Sequence, residues 1–255
     1  MKIYHCMSLR YVENVLLFRN DISPFLSHLT KDIGDKSAKS NLESILLTSE
    51  LHYGINKVSD ARFGLPREDI TEEIAKNFFS AVCFTETPLN EIHNLIDINH
   101  SQVNLQPYGL VFIKDKLMKS NVSPVLYINN SDKKKIKLVE QLCLMIGKEP
   151  EQARKILPYI SVFGYKLLPI VGTGGKHEKI DFKWEREWRY ASENYSFQFD
   201  FSDVFMGMCE HQHIDYFETL TNNEILFFDP RRNIKWYADK LVKARKDKKI
   251  RNSVV

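Results

Sequence analysis

The run Phe182-Lys183-Trp184-Glu185-Arg186-Glu187-Trp188-Arg189-Tyr190 alternates aromatic with charged residues at the two-residue period of a strand. Phe182, Trp184, Trp188 and Tyr190 fall on the face that meets a core, Lys183, Glu185, Glu187 and Arg189 on the opposite face, and only Arg186 breaks the pattern. The Glu185 and Glu187 carboxylates would then project side by side from rigid backbone. That spacing suits stabilising a sugar cation with one and activating a nucleophile with the other. A solvated strand face laced with cross-strand ion pairs has the same pattern.

Other residues carry chemistry less specifically. Gly172-Thr173-Gly174-Gly175-Lys176 has the glycines of a phosphate-cradling loop but not the full glycine-lysine-hydroxyl spacing. Charged residues follow it, so it reads as a turn before the Glu185 strand. Cys209, His211 and His213 are metal-ligand types, yet the second half of a zinc signature is missing and a helical segment with exposed histidines is expected. His5 shares a strand face with Ile3, the usual setting of a structural histidine, and Arg10 could meet a phosphate or stay solvated at a helix start. Phe84-Thr85-Glu86-Thr87-Pro88 ends a strand with two hydroxyls, which also suits closing a turn.

These residues need elements to position them. Ile3 to Met7 reads as a strand and Leu9 to Phe18 as a helix, with Val12, Val15 and Leu16 on its apolar side. Residues 32–41 read as a polar loop, ahead of the helical pattern Leu42, Ile45, Leu46 and Leu47. Leu51 to Asp69, with Gly54, Gly64 and Pro66, reads as a long loop that contains Tyr53. Helices are expected over 70–79, where Glu72 and Glu73 favour the first turn, over 89–98, and within 131–157. Strands are expected at 81–85, 108–113, 124–128, 161–170, 184–190, 195–201 and 225–228, with a charged turn from Lys114 to Asn121. Helices early and in the middle with strands clustered late argue for an α+β fold, a mostly antiparallel split sheet with helices.

Composition bounds the function classes. A chain of 255 residues buries roughly three quarters of its unfolded surface, enough for one large domain. Its 43% hydrophobic and 27% charged residues are near the globular average, so disorder is not expected over most of the length. No apolar run approaches the roughly 20 residues that span a bilayer, and residues 1–5 lack the apolar region of a signal peptide, which predicts no membrane and a cytoplasmic location. The four scattered cysteines, Cys6, Cys83, Cys143 and Cys209, fit reduced thiols. The net charge of +3 is uneven: from Lys240 onward seven Lys and Arg stand against Asp247, a net of +6, leaving −3 on residues 1–239. Residues 1–239 therefore read as a single α+β domain and 240–255 as a basic tail, either a solvated helix end or a contributor to RNA or DNA affinity.

A histidine-bearing first strand with its helix, a strand ending in hydroxyls and a late Glu-x-Glu strand together resemble the three-motif layout of ADP-ribosyltransferases. The resemblance implies NAD as substrate, with Glu187 stabilising the ribose cation and Glu185 activating the acceptor. His5 and Arg10 would anchor ribose and phosphates, Thr85 would position the sugar, and Tyr53 would wall the nicotinamide. His5 stands where arginine-type transferases carry arginine, and the middle motif is Phe-Thr-Glu-Thr rather than serine-threonine-serine. The chain also resembles the AbiGi-type abortive phage-resistance family through residues 82–89, Tyr108-Gly109-Leu110-Val111-Phe112 and Trp184-Glu185-Arg186-Glu187-Trp188-Arg189. Together these imply an NAD-dependent ADP-ribosyltransferase toxin in anti-phage defence, acting on a protein, RNA or DNA acceptor and paired with a cognate antitoxin. A non-catalytic antitoxin or immunity module that uses the fold as an interface is the alternative, and a nucleic-acid-binding effector that depends on the basic tail is a third.

Overall fold

The computed structural model describes residues 22–55, 71–96, 104–129, 131–163 and 186–248. In chain order the first elements are β1 (Phe25–Lys31), α1 (Ala38–Thr48), β2 (Glu50–His52), β3 (Gly54–Ile55), α2 (Glu72–Phe79) and β4 (Ser80–Thr85). Then come α3 (His93–Ile96), β5 (Leu105–Ile113), α4 (Lys114–Lys119), β6 (Ser123–Pro124), β7 (Leu126–Asn129) and α5 (Lys133–Leu144). The rest are α6 (Pro150–Ile156), β8 (Ile160–Phe163), β9 (Glu187–Tyr190), β10 (Ser196–Gln198), β11 (Val204–Met208), α7 (Ile214–Leu220), β12 (Phe227–Phe228) and α8 (Ala238–Asp247). Most strand pairings among the described residues are antiparallel, with β11–β12 and β7–β8 parallel, so the fold is α+β. Among the described residues no helix is long and apolar enough to cross a membrane.

The described residues form two compact units, one comprising 22–48, 86–96, 104–117 and 200–248, the other 49–55, 71–85, 118–129, 131–163 and 186–199. In the first, β1 and β11 flank β5 antiparallel, with Leu26 opposite Phe112 and Met208 opposite Gly109, and β12 adds to β11 in parallel. Helix α1 lays Leu42, Ile45 and Leu46 on β1 and β5, while Leu47 points to solvent. Phe25 stacks on Phe205 with ring centroids 4.1 Å apart, and Phe217 of α7 on Phe227 at 5.3 Å. The basic segment from Lys240 begins inside α8, a helix that packs on β11.

In the second unit β4 pairs antiparallel with β3 and β9, and β6 borders β9. The ribbon β2–β10 is antiparallel and the ribbon β7–β8 parallel. Helix α2 starts where the sequence signals it: the Thr71 side chain accepts from the Ile74 N–H and Glu72 and Glu73 occupy the first turn. A core of Phe78, Phe79, Val139, Cys143, Leu157 and Val162 joins α2, α5 and β8.

Several elements depart from expectation. The charged turn at 114–121 is helix α4, whose buried side is Leu117. The strand expected over 124–128 breaks at Val125, whose N–H donates to Glu187 O at 2.9 Å, so that β6 joins β9 and β7 joins β8. The long loop after Leu51 begins with β2 and β3, and of the helix expected over 89–98 the described residues, which stop at Ile96, show the turn α3. The strand at 184–190 is described only as Glu187–Tyr190, preceded by Arg186 at φ 46°, a left-handed conformation outside strand geometry.

Gly109 lies against the backbone of β1. A Cβ there would lie 2.2 Å from His28 O and 3.0 Å from Leu29 Cα, backbone atoms of the paired strand that cannot move aside. Gly109→Ala is therefore expected to cost at least about 2 kcal/mol. Gly147→Ala, which meets nothing within 4 Å, should cost far less. Urea denaturation of the two variants checks the contrast.

Candidate functional site

Residues two apart on a strand share a face, so Glu187 and Arg189 of β9 meet. The Arg189 guanidinium donates from Nε to Glu187 Oε1 at 2.9 Å and from Nη2 to Oε2 at 2.7 Å, a bidentate pair. Its Nη1 donates to Pro158 O at 2.6 Å, with Ile160 O at 3.4 Å. The Glu187 N–H donates to the Tyr127 hydroxyl at 3.1 Å. Both charges are inside: Glu187 is 8% and Arg189 3% exposed. Burial works against the charged guanidinium, yet the adjacent carboxylate carries the Arg189 pKa above the ordinary arginine value. The face expected to be opposite the core is thus itself buried.

Thr85, buried at the end of β4, stands directly opposite Glu187, and Cys83 opposite Arg189. Tyr53 lies between β2 and β3, where its hydroxyl accepts the Ser192 N–H. Its ring packs edge-on to Tyr190 and Tyr195, with centroids 6.4 and 5.9 Å away, and Tyr190 continues to Phe197 at 4.9 Å. Burial pushes the Tyr53 phenol up to about 12, against the Ser192 hydrogen bond, so it stays neutral as a packed wall. A polar hollow of about 580 Å³ opens beside this cluster, lined by Glu50, Asn121, Tyr190, Asn194, Ser196 and Gln198 among others. Neither Glu187, Thr85 nor Tyr53 lines it.

The structure therefore brings Glu187 and Thr85 together and puts Tyr53 in an aromatic cluster of the same unit. Glu185, His5 and Arg10 lie outside the described residues. Arg189 and Tyr127, which hold Glu187 in place, were missed as site residues. The opposite charges of Arg189 and Glu187 on one strand face were the available signal for the first, and nothing local marks Tyr127. In the first unit His213 Nδ1 lies 3.0 Å from the Tyr108 hydroxyl and His211 Nδ1 3.3 Å from that of Tyr237. Cys209 is buried, which pushes its thiol pKa up. Among the described residues no group of three His, Cys, Asp or Glu is placed to hold a metal.

A family model described as "Putative abortive phage resistance protein AbiGi, antitoxin" matches residues 58–221. The chain belongs to this family. No curated protein and no solved structure matches it. The AbiGi assignment confirms one of the two sequence resemblances and corrects the function drawn from the other. An antitoxin family overturns the reading of the chain as an NAD-dependent ADP-ribosyltransferase toxin and agrees with the non-catalytic alternative. NAD and a macromolecular acceptor were expected only as reactants of that transferase. In this AbiGi-family chain both Glu187 oxygens are instead engaged by Arg189.

Removing one partner strands the other charge in the interior, which costs about 3–5 kcal/mol. Arg189→Met is expected to lose that amount in urea denaturation. The double variant Glu187→Leu with Arg189→Met, which removes both charges, should be destabilised by clearly less than the two single losses combined. Strictly additive losses would show that the pair is not coupled.

Proposed function

We propose that the protein is a non-catalytic antitoxin of an abortive phage-resistance system and holds its cognate toxin inactive by direct contact in the cytoplasm. The observation that carries this reading is the antitoxin family match over 58–221. The inward engagement of Glu187 supports it, because a carboxylate held by two guanidinium hydrogen bonds is not poised against a substrate.

Within the matched residues, α5 offers a surface for such contact. Lys133, Lys134 and Lys135 occupy its first turn, where positive charge opposes the helix macrodipole. Asp132 offsets part of this by accepting from the Lys134 and Lys135 N–H groups and pairing with Lys135 Nζ at 3.1 Å. Lys134, Lys137 and Leu138 share one exposed face at helical spacing, and Leu138 is 52% exposed. An acidic toxin surface with an apolar pocket would complement that face.

Co-expression with the toxin of the same defence locus tests the reading. The wild-type chain is expected to restore growth and to co-elute with the toxin. Leu138→Asp, or Lys134→Glu with Lys137→Glu, should weaken the complex roughly tenfold or more without lowering the melting temperature. Growth rescue with no complex, or loss of rescue only in variants that unfold, would reject neutralisation through this face.

A further inference from the structure

Beyond the matched residues, the C-terminal part of the first unit carries a basic surface that toxin neutralisation does not use. From Arg231 to Lys248 eight Lys and Arg stand against Asp239 and Asp247, a net of +6. Five of them have a partner within the first unit or are partly covered by it. Arg231 pairs with Glu210 at 3.5 Å, Arg232 with Asp229 at 3.7 Å, Lys240 with Glu218 at 2.5 Å, Lys248 donates to Phe201 O at 2.7 Å, and Arg245 is half-buried. Among the described residues no carboxylate pairs with Lys235, Lys243 or Lys246, all exposed.

Beside them stands Trp236, 74% exposed yet held in place. Asp229, itself buried, accepts from the backbone N–H groups of His211 and Arg231 and pairs with the Arg232 guanidinium. That guanidinium lies 5.4 Å from the centroid of the Trp236 ring. The next residue, Tyr237, is buried and meets His211. The Trp236 N–H donates to Asn233 O at 3.0 Å, which fixes the backbone on the other side. Below it, Asp239, Val242, Lys243 and Lys246 follow at helical spacing along the exposed side of α8.

We propose that Arg232, Lys235, Trp236, Lys243 and Lys246 form a binding surface for single-stranded nucleic acid. A base stacks on the open area of the indole, and the lysines meet the flanking phosphates. The physical alternatives fit less well. A protein partner needs roughly 800 Å² from each side around an apolar centre, and Trp236 and Val242 are the large exposed hydrophobics of this stretch. An interfacial membrane helix needs its apolar face outward, whereas Ala244 is buried and Leu241 half-buried. Paired bases in a duplex offer no open face to an indole. The proposal does not rest on the antitoxin reading, because its residues lie outside 58–221 and binding is measured with no toxin present.

The test is fluorescence anisotropy of the full chain with labelled dT20 at low salt, repeated with a 20-bp duplex, polyglutamate and anionic vesicles as competitors. Binding of dT20 is expected to weaken steeply with salt. Trp236→Ala should weaken it about tenfold or more, Trp236→Phe much less, and Lys243→Glu with Lys246→Glu should flatten the salt dependence. Equal affinity for wild type and Trp236→Ala overturns the proposal, as does failure to bind dT20. Displacement by the duplex, polyglutamate or vesicles at matched charge also overturns it, in favour of a duplex, an acidic protein or a lipid surface respectively.

Discussion

Taking a carboxylate and a guanidinium out of water costs several kcal/mol per ion, and the fold of the second unit is arranged around making that cost acceptable. Glu187 meets Arg189 through two parallel hydrogen bonds, and the remaining Arg189 nitrogen reaches Pro158 O. The carbonyl of Glu187 accepts from Val125 and its N–H donates to Tyr127, so β6, β7 and the turn before β8 are all registered on β9. A pair of this kind adds little net stability compared with a well-packed apolar core. Its value is specificity: the two charges travel together on β9, so a register slip that carries them away from the Pro158 carbonyl and the Tyr127 hydroxyl leaves buried polar groups without partners. The pair also gives each Glu187 oxygen a guanidinium partner in the interior.

The first unit uses a different constraint. There the strands come close enough that Gly109 faces the backbone of β1, and the Thr30 hydroxyl lies 3.0 Å from both Ala38 O and Tyr108 O, with one proton to serve them. Helix α1 is thereby tied to β1 and β5 at its start, and its Leu42, Ile45 and Leu46 complete the contact. Here backbone proximity and one shared hydroxyl replace the buried ion pair as the device that fixes register.

How much of this was legible in the sequence follows from the range of each interaction. Helices α2 and α5 were readable because their apolar spacing and, for α2, its acidic first turn are local. β1 went unread because Ser27 and Thr30 are buried there, so polar residues occupy the positions where apolar alternation would announce a strand. β11 is buried at every position and has no alternation to detect. The α4 turn of helix hid behind Lys114, Asp115 and Lys116, with Leu117 its single buried residue. At the site, the charge pattern of β9 marked Glu187 as unusual but suggested a solvated or catalytic face. Whether a strand carboxylate meets solvent, substrate or an arginine depends on what covers it, and here Tyr127 and the Pro158 turn, distant in sequence, do the covering.

The distribution of charge separates the roles of the two basic regions. Residues 1–239 carry a net −3, so the lysines at the start of α5 are local exceptions placed against the helix dipole, a tension that Asp132 relieves in part. In α8 the basic residues Arg245 and Lys246 sit in the last turn, where the dipole favours them, and no such tension exists. What distinguishes that region is the exposed indole held against Arg232. An electrostatically strained lysine cluster calls for a fixed acidic partner, whereas a relaxed basic helix beside an open aromatic suits a flexible polyanion whose bases can stack. Under the two proposals the same excess of lysine would serve two kinds of recognition, distinguished by the helix end that bears it and by the presence of an aromatic platform.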